Sequence, residues 1–72
     1  MEKIIIKSKT IKLSQFLKWA GLVETGGHAK ELILAGEVQV NGILEKIPGK
    51  QIITGDIVSL NGQSFLITND EK

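Results

Sequence analysis

Apolar residues begin the chain as a block, continue at helical spacing and finish in alternation. Each change of period marks a change of element. Ile4-Ile5-Ile6 is a run of β-branched side chains and predicts a strand over 3–7, central or buried on both faces. A connector rich in lysine, Lys7-Ser8-Lys9-Thr10, follows. Leu13, Phe16, Leu17 and Ala20 then recur at i, i+3, i+4 and i+7, which predicts a helix over 11–20 with Thr10 as its N-cap and Gly21 ending it in a left-handed turn. Ala29, Leu32, Ile33 and Gly36 repeat the spacing and predict a second helix over 26–35, capped by Thr25, closed by Gly36 and too short to stand undocked.

From residue 37 the period is two. Val38 and Val40 alternate with Glu37 and Gln39, and Asn41-Gly42 follows, the strongest short hairpin signal because a type I′ turn needs positive φ at both central residues. The return strand is expected over 43–47, with Pro48-Gly49 as a turn. Ile52-Ile53 is apolar, and Thr54-Gly55-Asp56 turns again. Strands over 57–60 and 64–68 join through a second Asn-Gly pair, Asn61-Gly62. The polar tail 69–72 is expected to fray. Strand, two helices, then short antiparallel strands is an α+β order: two short helices packed on a small, mostly antiparallel β-sheet, in one domain over 1–72.

Composition narrows the chemistry. A chain of 72 residues has room for one small core. With no cysteine there is no disulfide, thiolate nucleophile or Cys-ligated zinc. The single histidine, His28, cannot furnish a common catalytic zinc site and has no pattern of nucleophile and acid around it. The carboxylates show no metal-ligand spacing, and Asp56 after Gly55 reads as a turn acid. No catalytic residue, metal or cofactor is therefore expected. The Ile4–Ile6 run falls far short of the roughly 7–15 apolar residues of a signal-peptide core, and no stretch approaches the roughly 20 of a membrane span, so the expected location is the cytoplasm, without membrane attachment.

The net charge of +1 conceals an asymmetry. Lys3, Lys7, Lys9, Lys12, Lys18 and Lys30 against Glu2, Glu24 and Glu31 give residues 1–36 a charge of +3, whereas the remainder carries −2. Such asymmetry hints at nucleic acid, although the same lysines also serve to solvate a surface. On the expected first helix Lys12, Gln15 and Trp19 share a flank, where a cation, an amide and a large ring suit a phosphate and a base; a tryptophan at the core's edge is the plainer account. Thr25-Gly26-Gly27 begins the second helix, where free N–H groups and the dipole favour an anion. Lys30 adds charge there and His28 a donor, although glycines also simply make turns.

The stretch 12–58 resembles the S-four RNA-binding domain, or alpha-L motif. The residues that carry the resemblance are Lys12-Leu13-Ser14-Gln15-Phe16-Leu17, Thr25-Gly26-Gly27-His28-Ala29-Lys30, Gly36-Glu37-Val38-Gln39-Val40-Asn41-Gly42, Lys46-Ile47-Pro48 and Gly55-Asp56, in family order and nearly family spacing. Lys18-Trp19-Ala20-Gly21 and the Gly-Gly helix start are most similar to the small stand-alone bacterial members of the YaaA/YbcJ kind. Lys12 stands where the family has Arg, Ser14 where it has Asp, and Gly26-Gly27 where Ser and Arg are usual. The resemblance implies a non-catalytic module whose RNA surface lies along the two helices and the start of the hairpin. Its partner would be structured RNA, ribosomal or transfer, with the ribosome or assembly proteins nearby. Lys12, Lys18 and Lys30 would neutralise phosphates, Thr25, Gly26, Gly27 and His28 would cradle one, and Gln15 and Trp19 would add hydrogen-bond or stacking contacts. Lysine offers a point charge in place of arginine's bidentate fork, which implies modest affinity. The alternative is a protein–protein adaptor on the same fold with weak or no RNA affinity, favoured by the missing arginines and by Leu34, which lies off the apolar face.

Overall fold

Ile4, Ile5 and Ile6 do form a strand, but at a sheet edge. In the computed structural model, which describes residues 1–69, β1 (Glu2–Ile6) pairs in parallel with the last strand, β7 (Gln63–Asn69). The pleat sends alternate side chains to opposite faces, so Ile6 is buried and Ile5 is 52% exposed. Asn69, expected in a frayed tail, is the last residue of β7, and its Nδ2 donates to the Ser8 carbonyl at 2.9 Å. The rest of that tail, 70–72, lies outside the described residues.

The other elements are β2 (Thr10–Lys12), α1 (Leu13–Trp19), α2 (Gly26–Leu34), β3 (Val38–Val40), β4 (Ile43–Leu44), β5 (Gln51–Ile53) and β6 (Ile57–Leu60). The main sheet runs β1-β7-β6-β3-β4, antiparallel except for β1–β7, and β2 and β5 form a separate antiparallel ribbon. The expected α+β architecture is thus present. The return strand stops at Leu44, short of the expected 47, because the chain then leaves the sheet to reach the start of α1. Both Asn-Gly pairs adopt positive φ at both residues, Asn41 55° and Gly42 80°, Asn61 53° and Gly62 78°, as type I′ turns require.

One face of each helix packs into the core. Leu13, Phe16 and Leu17 of α1 and Ala29 and Ile33 of α2 are fully buried with Val38, Val58 and Ile67 of the sheet and Ile52 of the ribbon. Each such large apolar side chain contributes about 1.5–3 kcal/mol of transfer free energy. The helices end as their glycines predict: the Leu22 and Gly21 amides donate to the Leu17 and Lys18 carbonyls, and the Glu37 and Gly36 amides to those of Leu32 and Ile33, satisfying carbonyls the helix leaves open.

Asp56 does more than turn the chain. Its Oδ2 accepts from the Ile53 amide at 2.9 Å and its Oδ1 from Asn41 Nδ2 at 3.1 Å. The Ile57 amide donates to Asn41 Oδ1 at 2.9 Å, and the Asn41 amide returns a bond to the Ile57 carbonyl at 2.7 Å. The β3–β4 turn is thereby locked to the β5–β6 turn. Asp56→Ala removes an ionised acceptor from two donors, and Asn41→Gly keeps the positive φ while losing the side-chain bonds. Each is expected to cost about 1–3 kcal/mol in urea unfolding, and the double variant less than the sum, because the two share one network.

Candidate nucleic-acid interface

The two helix starts face opposite situations. Thr10, expected to cap α1, lies in β2, because Thr10, Ile11 and Lys12 pair with Ile53, Ile52 and Gln51 of β5. The N-cap is Lys12, with extended backbone (φ −69°, ψ 144°) and no side-chain cap bond. The first amides of α1 are taken by a distant loop: Leu13 N–H donates to the Lys50 carbonyl at 2.8 Å and Ser14 N–H to that of Pro48 at 3.1 Å. An incoming anion finds those donors occupied.

At α2 the cap is the expected one. Thr25 Oγ1 accepts from the His28 amide at 3.0 Å, and the Thr25 carbonyl from the Ala29 amide at 3.2 Å. The amides of Gly26 and Gly27 have no partner among the described residues. Neither glycine has a positive φ; a Cβ at Gly26 would meet nothing within 4 Å, and one at Gly27 only Thr25 Oγ1 at 3.9 Å. Neither the backbone conformation nor crowding requires glycine here, and what the pair supplies is bare backbone donors. His28 contributes an exposed imidazole, its amide being engaged, and Lys30 stands exposed one turn on.

The helical-wheel flank of Lys12, Gln15 and Trp19 is regrouped. Lys12 precedes the helix and lies outside the groove that forms there. Gln15 and Trp19 instead share a shallow groove of about 480 Å³ with Lys18 and Ile11. Trp19 is 52% exposed, and its Nε1–H donates to the Ile5 carbonyl at 2.8 Å, so the indole is tied to the sheet's edge strand. The sequence reading does not bring Ile11 to this groove; the alternation of Thr10, Ile11 and Lys12 is the available signal, and the helical spacing that begins at Leu13 masks it. Lys12, Lys18 and Lys30 are exposed and have no ion-pair partner among the described residues. Among those residues no helix is long and apolar enough to cross a membrane.

The family model of the S4 domain matches residues 4–68. A probable ribosome maturation protein RlbA of Bacillus subtilis is 37% identical over 67 residues, which cover 92% of this chain and 94% of that protein. A putative RNA-binding protein YbcJ of Escherichia coli is 34% identical over 61 residues, 85% of this chain and 87% of that one. The solution structure of E. coli YbcJ, described as an alpha-L motif involved in RNA binding, superposes with a TM-score of 0.66 at 31% identity, covering 93% and 84% of the two chains. Heat shock protein 15 of Vibrio cholerae, described as a trimeric structure, shares the fold at a TM-score of 0.74 and 23% identity, with 86% of this chain aligned to 66% of that one.

Two glycines in the first turn of a helix weaken it, since each costs up to about 1 kcal/mol relative to alanine. With room and ordinary φ at Gly27, Gly27→Ala is expected to raise the urea midpoint by the equivalent of about 0.5–1 kcal/mol at unchanged m-value. Thr25→Ala, which strips the cap, should lower it by about 1 kcal/mol.

Proposed function

The chain belongs to the S4 domain family, and from that premise we propose that it is a non-catalytic cytoplasmic module that binds structured RNA, ribosomal or transfer, through backbone phosphates at its two-helix face. The observation that carries this reading is the start of α2. The N–H groups of Gly26 and Gly27 have no acceptor among the described residues, neither glycine carries a side chain to cover them, and Lys30 follows one turn later. Such a helix start accepts a phosphate oxygen directly. Thr25 holds the turn in shape, and His28 adds an exposed donor. Lys12 and Lys18 neutralise further phosphates on the α1 side. The relatives named as an RNA-binding protein and a ribosome maturation protein support the reading, and they make the ribosome and its assembly proteins the natural neighbourhood.

Structured RNA fits better than single strands. Strand-tracking proteins stack successive bases on several aromatic rings. Here Phe16 and Phe65 are buried, leaving the Trp19 indole and the smaller His28 imidazole as the exposed aromatic rings. A second reading, a protein–protein adaptor on the same fold, draws on Leu34, Ile43 and Ile47, each more than 60% exposed. Capture of a protein that survives ribonuclease treatment, with no affinity for purified RNA, would favour it.

With three or four phosphates neutralised, log K against log salt should slope between about −2 and −4. Lys12→Ala/Lys30→Ala should bind several-fold more weakly and flatten that slope by about 1–2. Both are read from fluorescence anisotropy of a labelled RNA hairpin across a salt series. A binding constant indifferent to salt, or wild-type affinity in the double variant, contradicts the proposal.

A further inference from the structure

We propose that the groove of Ile11, Gln15, Lys18 and Trp19 seats one unpaired nucleobase, so that the preferred target is a duplex interrupted by a single bulged nucleotide. This deepens the RNA-binding reading and rests on it. The indole carries the argument. Its one donor is spent on the Ile5 carbonyl at 2.8 Å, so a ligand gains nothing from Trp19 by hydrogen bonding and only the ring itself is on offer. Anchored at Nε1, the ring is held in place before any ligand arrives, which lowers the ordering cost of stacking. The two phenylalanines, Phe16 and Phe65, are in the core, so this half-exposed indole is the large stacking platform that the surface offers.

The remaining lining suits a base. Ile11 adds apolar surface. The Gln15 amide has both donor and acceptor groups, which meet the edge of a purine or pyrimidine. Lys18 places a cation where the nucleotide's own phosphate would lie. A base stacked inside a duplex cannot offer its face to a side chain, whereas a bulged one can. One platform accepts one base, which separates this site from the repeated platforms of single-strand binders.

Trp19 is the chain's only tryptophan and there is no tyrosine, so intrinsic fluorescence reports this groove alone. Three RNA hairpins serve as probes: one fully paired, one with a single bulged adenosine, and one with an abasic nucleotide at the bulge. The bulged hairpin is expected to bind roughly tenfold tighter than the other two, the scale of one base–aromatic stack, and to quench the fluorescence in proportion to occupancy. Trp19→Ala, checked for fold by circular dichroism, should erase the preference of the bulged over the abasic hairpin, and Trp19→Phe should restore part of it. Gln15→Ala, at an exposed position the core does not use, should reduce the preference even if the Trp19 variants do not fold. Equal affinity for all three hairpins, or binding without quenching, overturns the base seat and leaves phosphate binding standing. Failure of all three to bind overturns both.

Discussion

The backbone bonds from Pro48 and Lys50 to the start of α1 are the constraint on which the rest of the structure depends. A helix of seven residues is far below the length that is stable alone in water, and Lys12 offers no side-chain cap. The carbonyls of Pro48 and Lys50 complete the first turn from outside, β5 pairs with β2 immediately before it, and Ile52, wholly buried, pins the ribbon to the core. Because β5 is itself held by Asp56, and Asp56 by Asn41, the position of α1 is tied through one continuous set of bonds to the turn of the β3–β4 hairpin. That geometry carries Gln15, Lys18 and Trp19 to where they stand.

The same brace decides which helix start is open. Both helices expose the partial positive charge of their first amides, yet a phosphate competes for those of α1 against two preformed carbonyls. At α2 the first two amides have no such rival among the described residues, and the lack of a side chain on either glycine leaves the approach clear. Accepting two glycines in a nine-residue helix works against local propensity, and neither φ nor packing demands them. A local choice that costs stability without a structural reason points to the surface it leaves bare.

Much of this was legible from spacing alone. The second helix, its Thr25 cap, the glycine stops and both Asn-Gly turns are short-range devices, and all appear as read. The departures share one cause. Thr10 to Lys12 became a strand because Gln51 to Ile53 lies opposite, a pairing some forty residues away in sequence that no local window contains. The triple isoleucine looked central because composition reports hydrophobicity without neighbours; in the sheet it occupies the edge, with Ile5 facing outward. The groove inherits the same difficulty. A helical wheel put Lys12 beside Gln15 and Trp19, but the wheel presumes a helix that begins at residue 11, and the ribbon delays it to Leu13, replacing Lys12 with Ile11 and Lys18. Asp56 reads as a turn acid and is one, while its second oxygen's reach to Asn41 spans fifteen residues.

The absence of arginine bears on how such a surface can discriminate at all. A lysine ammonium is a mobile point charge on a flexible stem; it attracts a phosphate without fixing the ligand's orientation. With a near-neutral total charge there is also little long-range field to compensate for loose contacts. Orientation must therefore come from groups that cannot move. The backbone amides of Gly26 and Gly27, fixed by the Thr25 cap, and the indole of Trp19, fixed by the Ile5 carbonyl, are rigid features of this kind on the lysine-rich half of the molecule. A phosphate held at the first and a base seated on the second would define a direction along the RNA, and mobile lysines would supply attraction on the way. Discrimination by rigid backbone and one anchored ring favours shape over base identity, because an amide reads any phosphate and a ring face reads any base.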